Sequence, residues 1–312
     1  MKYYIGIDLG GTFVKGGICS SSGEILVMDS VPTEVDKGNA QVVANIVRLT
    51  FALCDKLGIK ATDCEGMGIG VPGMIDSDKG EVVYASNLNF EHFNLRDAVQ
   101  EKVGVNVVIA NDANVAALGE SKFGAGAGYS DSVLVTLGTG VGGGIIIDGN
   151  IFAGNCSAGA EIGHMIIEVN GRQCGCGLKG CFEAYASATG LINLTKESMD
   201  KDPDSLLWQI GKENINGQSA FNLAEKDKTA KKVVETYLDY LSVGLVNIAN
   251  VFRPQAILLG GGISNEGEGL VIPLREKMKK MIFAGEKGPK VEIKIASLKN
   301  KAGVLGAAAL VL

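Results

Sequence analysis

The sequence predicts an α/β protein of two domains, and three observations carry that prediction. A strand-hairpin start occurs twice, a third apolar strand ends in glycines before a helix-like stretch, and 312 residues that are 46% hydrophobic bury a large core without disulfides. The first start reads Ile5-Gly6-Ile7-Asp8-Leu9-Gly10-Gly11-Thr12, an apolar strand ending in a glycine turn. A returning strand follows over Val14 to Cys19, then a Ser-Ser-Gly turn and a third strand from Glu24 to Met28. The second start reads Val133 to Gly140, then Gly143 to Ile147, the turn Asp148-Gly149-Asn150 and a short strand at Ile151-Phe152. Aligning Asp8 with Thr136 keeps turns and strands in register, so two copies about 130 residues apart predict domains of like topology whose glycine turns face a common cleft.

Glycine turns at strand ends leave backbone N–H groups unblocked by Cβ, and such groups form a nest for phosphate oxygens. Either turn alone is explained equally well as a tight hairpin; two facing nests, Gly10-Gly11-Thr12 and Gly138-Thr139-Gly140, suit a nucleotide triphosphate. The third run, Leu258 to Ser264, places Gly261 and Gly262 where a backbone could lie against adenine and ribose. A Rossmann site does not fit. Neither turn has G-x-G-x-x-G opening a helix, and Gly142-Gly143-Gly144 runs into a β-branched strand.

One short window concentrates metal-ligand chemistry. His164, nine residues of spacer, then Cys174, Cys176 and Cys181 use three of seven cysteines and one of two histidines. An imidazole with three thiolates is a tetrahedral Zn²⁺ set, and Gly175, Gly177 and Gly180 let the backbone turn tightly between the sulfurs. Four protein ligands close the coordination sphere, so the metal is expected to be structural and to hold a loop on which Glu161 and Glu183 stand.

Charge and hydropathy exclude several classes. A net charge of −6 argues against a nucleic-acid surface, and Lys277 to Lys280 reads as the solvated end of a helix. Asp8 interrupts the N-terminal apolar residues before a signal-peptide core could form, and no run reaches the roughly 18 apolar residues of a membrane span. With an odd number of cysteines, three of them assigned to metal, the expected compartment is a reducing cytoplasm.

Phosphoryl transfer asks little covalent work of a protein: a base for the attacking hydroxyl, positioning, Mg²⁺ on the phosphates and donors for the charge. Asp112 is the candidate base. It follows the apolar run Val105 to Ala110 and should emerge at a strand's carboxyl end, where open α/β sheets bind ligands; it is equally a cap for the helix predicted from Ala113. Asp8, beside a phosphate nest, would repel a nucleotide unless Mg²⁺ intervened, directly or through water. Lys15 points from the returning strand either to phosphate or to a carboxylate.

Taken together, Asp8-x-Gly-Gly-Thr12-x-x-Lys15, Val71-Pro72-Gly73, Asn111-Asp112, Gly138 to Gly144, Glu161-x-Gly-His164 and the cluster from Cys174 to Glu183 resemble, in order, the motifs of the ROK family of sugar kinases and repressors. The resemblance runs essentially end to end and is greatest to bacterial ROK glucokinases. It implies the actin/hexokinase-like fold, a pair of RNase-H-like domains with a ligand cleft between them. It further implies a small domain over 1–112 completed by a helix over 302–312, and a large domain over 113–301. By the same resemblance Asp112 takes the proton from a sugar hydroxyl, and Gly73, Asn87, Asn111, Asp112, Glu161, His164 and Glu183 contact the sugar. His164 would then use one ring nitrogen on zinc and the other on a hydroxyl. His92 is read as a surface or loop histidine.

The implied activity is ATP-dependent phosphorylation of a hexose, glucose at O6, in a homodimer or homotetramer. N-acetylmannosamine, N-acetylglucosamine and β-glucoside kinases share these motifs and remain open. The different class, a sugar-sensing regulator, carries a helix-turn-helix domain ahead of the first hairpin, for which eight residues leave no room. Leu178-Lys179 departs from the Asn-Arg of many relatives without touching a ligand position, and 201–228 carries no readable motif.

Overall fold

The computed structural model describes residues Met1–Leu312, the side chain of Cys156 excepted. The first predicted hairpin forms as β1 (Tyr3–Leu9) and β2 (Phe13–Ser20), with β3 (Ile25–Pro32) returning beside it. Helix α1 (Asn39–Leu57) starts after Gly38 and stops at Gly58, whose left-handed backbone closes its last turn. It buries Val42, Ile46, Leu49 and Leu53, a helical stripe. Strand β4 (Cys64–Val71) leads to the short strands β5 (Met74–Asp76), β6 (Glu81–Ala85) and β7 (Phe90–Asn94), then α2 (Leu95–Val103), β8 (Val107–Asn111) and α3 (Asp112–Phe123).

The second predicted hairpin forms as β9 (Ser132–Leu137) and β10 (Val141–Ile147), followed by β11 (Asn150–Phe152). Beyond the cysteine window come α4 (Glu183–Ala186), α5 (Ala188–Met199), α6 (Ser219–Leu223), α7 (Lys228–Phe252), β12 (Ala256–Gly260), α8 (Glu268–Met281), β13 (Glu292–Ile295) and the C-terminal α9 (Ala302–Ala309). Among the described residues no helix is long and apolar enough to cross a membrane.

Contacts divide the chain into two compact units: Met1–Ser132 with Gly144–Ala160 and Ser297–Leu312, and Val133–Gly143 with Glu161–Ala296. The first therefore extends past the boundary expected at residue 112, because α3 and α9 pack against each other through glycines. A Cβ at Gly306 would lie 1.8 Å from the carbonyl oxygen of Val115, and one at Gly119 would lie 2.6 Å from that of Ala302. The sheet of this unit runs β3-β2-β1-β4-β8. Its β1, β2 and β3 are antiparallel neighbours, whereas β1, β4 and β8 run parallel. Ile5, Ile7, Ile18, Met67, Ile69 and Ile109 fill one core with α1 and α2, and the strands β5-β6-β7 add a small meander. In the second unit β10, β9, β12 and β13 are neighbours in that order, with β12 and β13 parallel. The stretch 201–228, unreadable in sequence, is closed by Asp227, which accepts hydrogen bonds from the N–H groups of Leu206 and Ala230 at 2.7 and 2.6 Å.

Candidate functional site

In the first unit the parallel strands β1, β4 and β8 deliver their carboxyl ends to one edge of the sheet. Asp8 and Lys15 are register partners across the hairpin, and Lys15 Nζ lies 3.7 Å from Asp8 Oδ2. Burial raises the Asp8 carboxyl above its usual range, and the neighbouring Lys15 opposes that rise. Gly10, Gly11 and Thr12 make the turn. Gly10 N–H donates to the Phe13 carbonyl at 3.0 Å, and the buried Thr33 hydroxyl donates to the Gly10 carbonyl at 2.6 Å.

Gly11 brings this turn to Asn87: a Cβ there would lie 2.9 Å from the Asn87 carbonyl oxygen. The Asn87 side chain is exposed beside it. Gly73 adopts φ +102, in the region that favours glycine, where a Cβ would meet the Tyr84 carbonyl at 2.3 Å.

Sequence allowed Asp112 to be the helix cap; the structure gives that role to Asn111. Helix α3 begins at Asp112 itself, not Ala113, and Asn111 Oδ1 accepts from the N–H groups of Ala113 and Asn114 at 2.9 and 3.2 Å. Asn111 Nδ2 donates to the Gly73 carbonyl at 3.0 Å. Asp112 stands half-buried at the end of β8 with Oδ1 accepting from the Ala113 N–H at 2.9 Å. Asp8, Gly11, Gly73, Asn87, Asn111 and Asp112 are all carried by this one unit.

In the second unit the turn Gly138-Thr139-Gly140 follows β9. Gly138 N–H donates to the Gly140 carbonyl at 3.0 Å, the Gly138 carbonyl accepts from Ala188 N–H at 2.8 Å, and the Thr139 carbonyl accepts from the Thr189 hydroxyl at 2.7 Å. Gly261, at φ +80, lies against the end of β9, where a Cβ would come within 2.5 Å of the Leu137 carbonyl oxygen. Gly262 is unencumbered on its Cβ side. The third glycine run therefore stands beside the end of β9, next to the second turn.

The ligand atoms of His164, Cys174, Cys176 and Cys181 all lie within 4.8 Å of one another. A zinc–sulfur bond of about 2.3 Å sets tetrahedral edges of about 3.8 Å. The observed separations are 3.7 Å between Cys176 Sγ and Cys181 Sγ, and 3.9 Å between Cys174 Sγ and His164 Nδ1. These four residues fit a tetrahedral ion, and Nδ1 is the ring nitrogen turned to the sulfurs. Without metal, burial pushes the Cys174 thiol up to about 12 and raises that of Cys181; a divalent cation reverses that cost by favouring thiolates.

Glu183 connects this cluster to the turn. Its Oε1 lies 3.4 Å from Cys174 Sγ, and its Oε2 accepts from Val141 N–H at 3.0 Å. Glu161 is exposed at the start of the turn that carries His164, and Gly163 of that turn packs on the Val141 carbonyl, where a Cβ would come within 2.1 Å. His92 is exposed on β7 and pairs with Glu81 at 2.8 Å. Sequence reasoning did not single out Thr33 or Thr189, because an isolated threonine whose partner is distant in sequence leaves no local signal.

Two hairpin-led sheets, a glycine turn on each and a histidine–cysteine cluster define the class: a mixed α/β protein of the actin/hexokinase-like fold. The description of the ROK family matches residues 4–312, and the chain belongs to that family. A glucokinase of Halalkalibacterium halodurans is 36% identical over 313 residues, covering 98% of this chain and 93% of that protein. The crystal structure of a ROK family glucokinase from Streptomyces griseus, in complex with glucose and AMPPNP, is 35% identical with a TM-score of 0.77, covering 99% of this chain and 98% of that one. A xylose repressor of Caldicellulosiruptor bescii is 31% identical, covering 99% of this chain but 77% of the repressor.

Proposed function

We propose that this protein is an ATP-dependent hexose kinase that transfers the γ-phosphoryl group to glucose at O6. The observation that carries the reading is the end-to-end likeness, in sequence and fold, to a glucokinase solved with glucose and a non-hydrolysable ATP analogue. Asp112 accepts the proton of the attacking hydroxyl as the bond to phosphorus forms, a role suited to a half-buried carboxylate at a strand's carboxyl end. Asn111 stands beside it, fixed at both ends of its amide, so a sugar hydroxyl meets a preset orientation.

The sugar is further held by Asn87, Glu161, Glu183 and His164, whose Nε2 is left for a hydroxyl when Nδ1 faces the metal. Phosphates lie on Gly10-Gly11-Thr12 and Gly138-Thr139-Gly140, with Gly261 and Gly262 near the base and ribose. Asp8 would hold Mg²⁺, which neutralises phosphate charge when bound, and Lys15 is placed to retain Asp8 in its half-buried site. His164, Cys174, Cys176 and Cys181 would hold zinc, which supplies rigidity to the loop.

A coupled ADP-release assay over glucose, mannose, fructose, N-acetylglucosamine, N-acetylmannosamine and β-glucosides tests the reading, with glucose expected to give the highest kcat/KM. Sugar binding without turnover would replace it with the second reading, a sugar-responsive regulator, which the likeness to xylose repressors favours.

A further inference from the structure

We infer that Thr189 is a positioning residue for nucleotide: it aims the backbone of the Gly138-Thr139-Gly140 turn. The inference rests on the reading that this turn receives phosphate. A trans peptide plane points its C=O and its following N–H in opposite directions, so whatever holds the carbonyl also aims the amide. The Gly138 carbonyl is held by Ala188 N–H at 2.8 Å, which turns the Thr139 N–H outward from that contact. The Thr139 carbonyl is held by the Thr189 hydroxyl at 2.7 Å, which does the same for the Gly140 N–H. Glu183 accepts the next amide, Val141 N–H, at 3.0 Å and so ends the run of donors.

Three consecutive peptide planes are thus set by residues 183, 188 and 189, whose own backbone is fixed where Ser187 caps α5. Glycine at position 140 lets the carboxylate approach, since a Cβ there would lie 2.2 Å from Glu183 Oε2. Of the three, Thr189 is the one that acts through a side-chain hydroxyl it alone supplies, and it is exposed, so its removal leaves the core intact. A preset pair of amides is worth most to an anionic ligand, because the ordering is complete before binding.

Thr189→Val removes the hydroxyl at nearly constant shape, and Thr189→Ser restores it. Calorimetry with AMPPNP should show affinity weakened about fivefold in Thr189→Val. Steady-state kinetics should show KM for ATP raised in parallel while KM for the sugar stays near wild type, and Thr189→Ser should recover both. Unchanged AMPPNP affinity in Thr189→Val, equal loss in Val and Ser variants, or a matching rise in sugar KM with a lowered melting temperature would each overturn the inference. Wild-type protein that binds no AMPPNP would instead defeat the phosphate reading of the turn, and this inference with it.

Discussion

Asn111 and Gly73 are joined by a 3.0 Å hydrogen bond from the amide Nδ2 to the carbonyl oxygen, while Oδ1 of the same side chain caps α3. One residue thereby fixes the loop after β4 and the start of the helix that carries Asp112. Gly73 itself takes φ +102 and packs so closely on Tyr84 that a Cβ would lie 2.3 Å from its carbonyl oxygen, so glycine is needed at this corner.

Asn111→Ala removes cap and tether together and should lower stability by about 1 to 2 kcal/mol. Asn111→Asp keeps the acceptor oxygens and loses the donor, so it should recover most of the stability but not the sugar KM. Urea denaturation of both variants, set beside their sugar kinetics, separates the two functions of the amide. Equal stability loss in both would show that the bond to Gly73, not the cap, is what holds this corner.

Asp112→Asn preserves shape and the hydrogen bond to Ala113 but cannot accept a proton. Turnover should fall on the order of 10² or more while sugar affinity stays within several-fold, since a positioned base acts mainly in the transition state. A near-normal kcat would reject the assignment.

Cys176→Ser takes the one exposed sulfur from the cluster and should lower bound zinc, measured by elemental analysis of protein purified without chelator. Because Glu183, two residues past Cys181 on the loop the cluster orders, bonds Val141 N–H, the loss should weaken nucleotide binding as well as sugar binding. Calorimetry showing nucleotide affinity intact in zinc-depleted protein would mean the turn is held without the cluster.

Much of this arrangement could be read before any coordinates. The hairpins around Gly10 and Gly138 announce themselves because strand, turn and return are all local, and His164 with Cys174, Cys176 and Cys181 does so because few chemistries use that spacing. The strands β5 to β7 were not legible: they are short and mix charged with apolar residues. Whether Asn111 or Asp112 caps α3 was undecidable locally, since both side chains can accept from the first amides of a helix. The bond from Val141 to Glu183 spans 42 residues, so no sequence pattern reports it. Asp227 is likewise a cap whose other partner, Leu206, sits 21 residues away.

Asp227 also gives a pH dependence. Burial opposes its ionisation, but hydrogen bonds from Ala230, Leu206 and Ser205 outweigh that and hold the carboxyl below its usual range. With the folded value below the unfolded value of about 3.9, the ionised form contributes stability that is complete above the unfolded value and is lost as pH falls through the folded one. Asp227→Ala should cost about 1 to 2 kcal/mol at neutral pH and give a flatter acid limb of stability against pH. A curve lowered equally at every pH would show that the side chain acts by packing and not by charge.

Two glycines of α9 should respond to alanine in opposite ways, because different atoms stand in the path of the new methyl. At Gly306 the obstacle is backbone: a Cβ would lie 1.8 Å from the Val115 carbonyl oxygen, and neither helix can yield without losing the packing of α3 on α9. Gly306→Ala should destabilise the protein by about 3 kcal/mol. At Gly303 the obstacle is a side chain: a Cβ would lie 2.6 Å from Asp8 Cγ and within 3.0 Å of both carboxylate oxygens. That carboxylate can swing aside, so Gly303→Ala should fold and melt near wild type while KM for MgATP rises about tenfold and the sugar KM holds. Thermal melts and steady-state kinetics on the pair decide the matter. If Gly303→Ala melts as low as Gly306→Ala, or if its KM for MgATP is unaltered, Asp8 is not kept in place for the nucleotide by the space that Gly303 leaves above it.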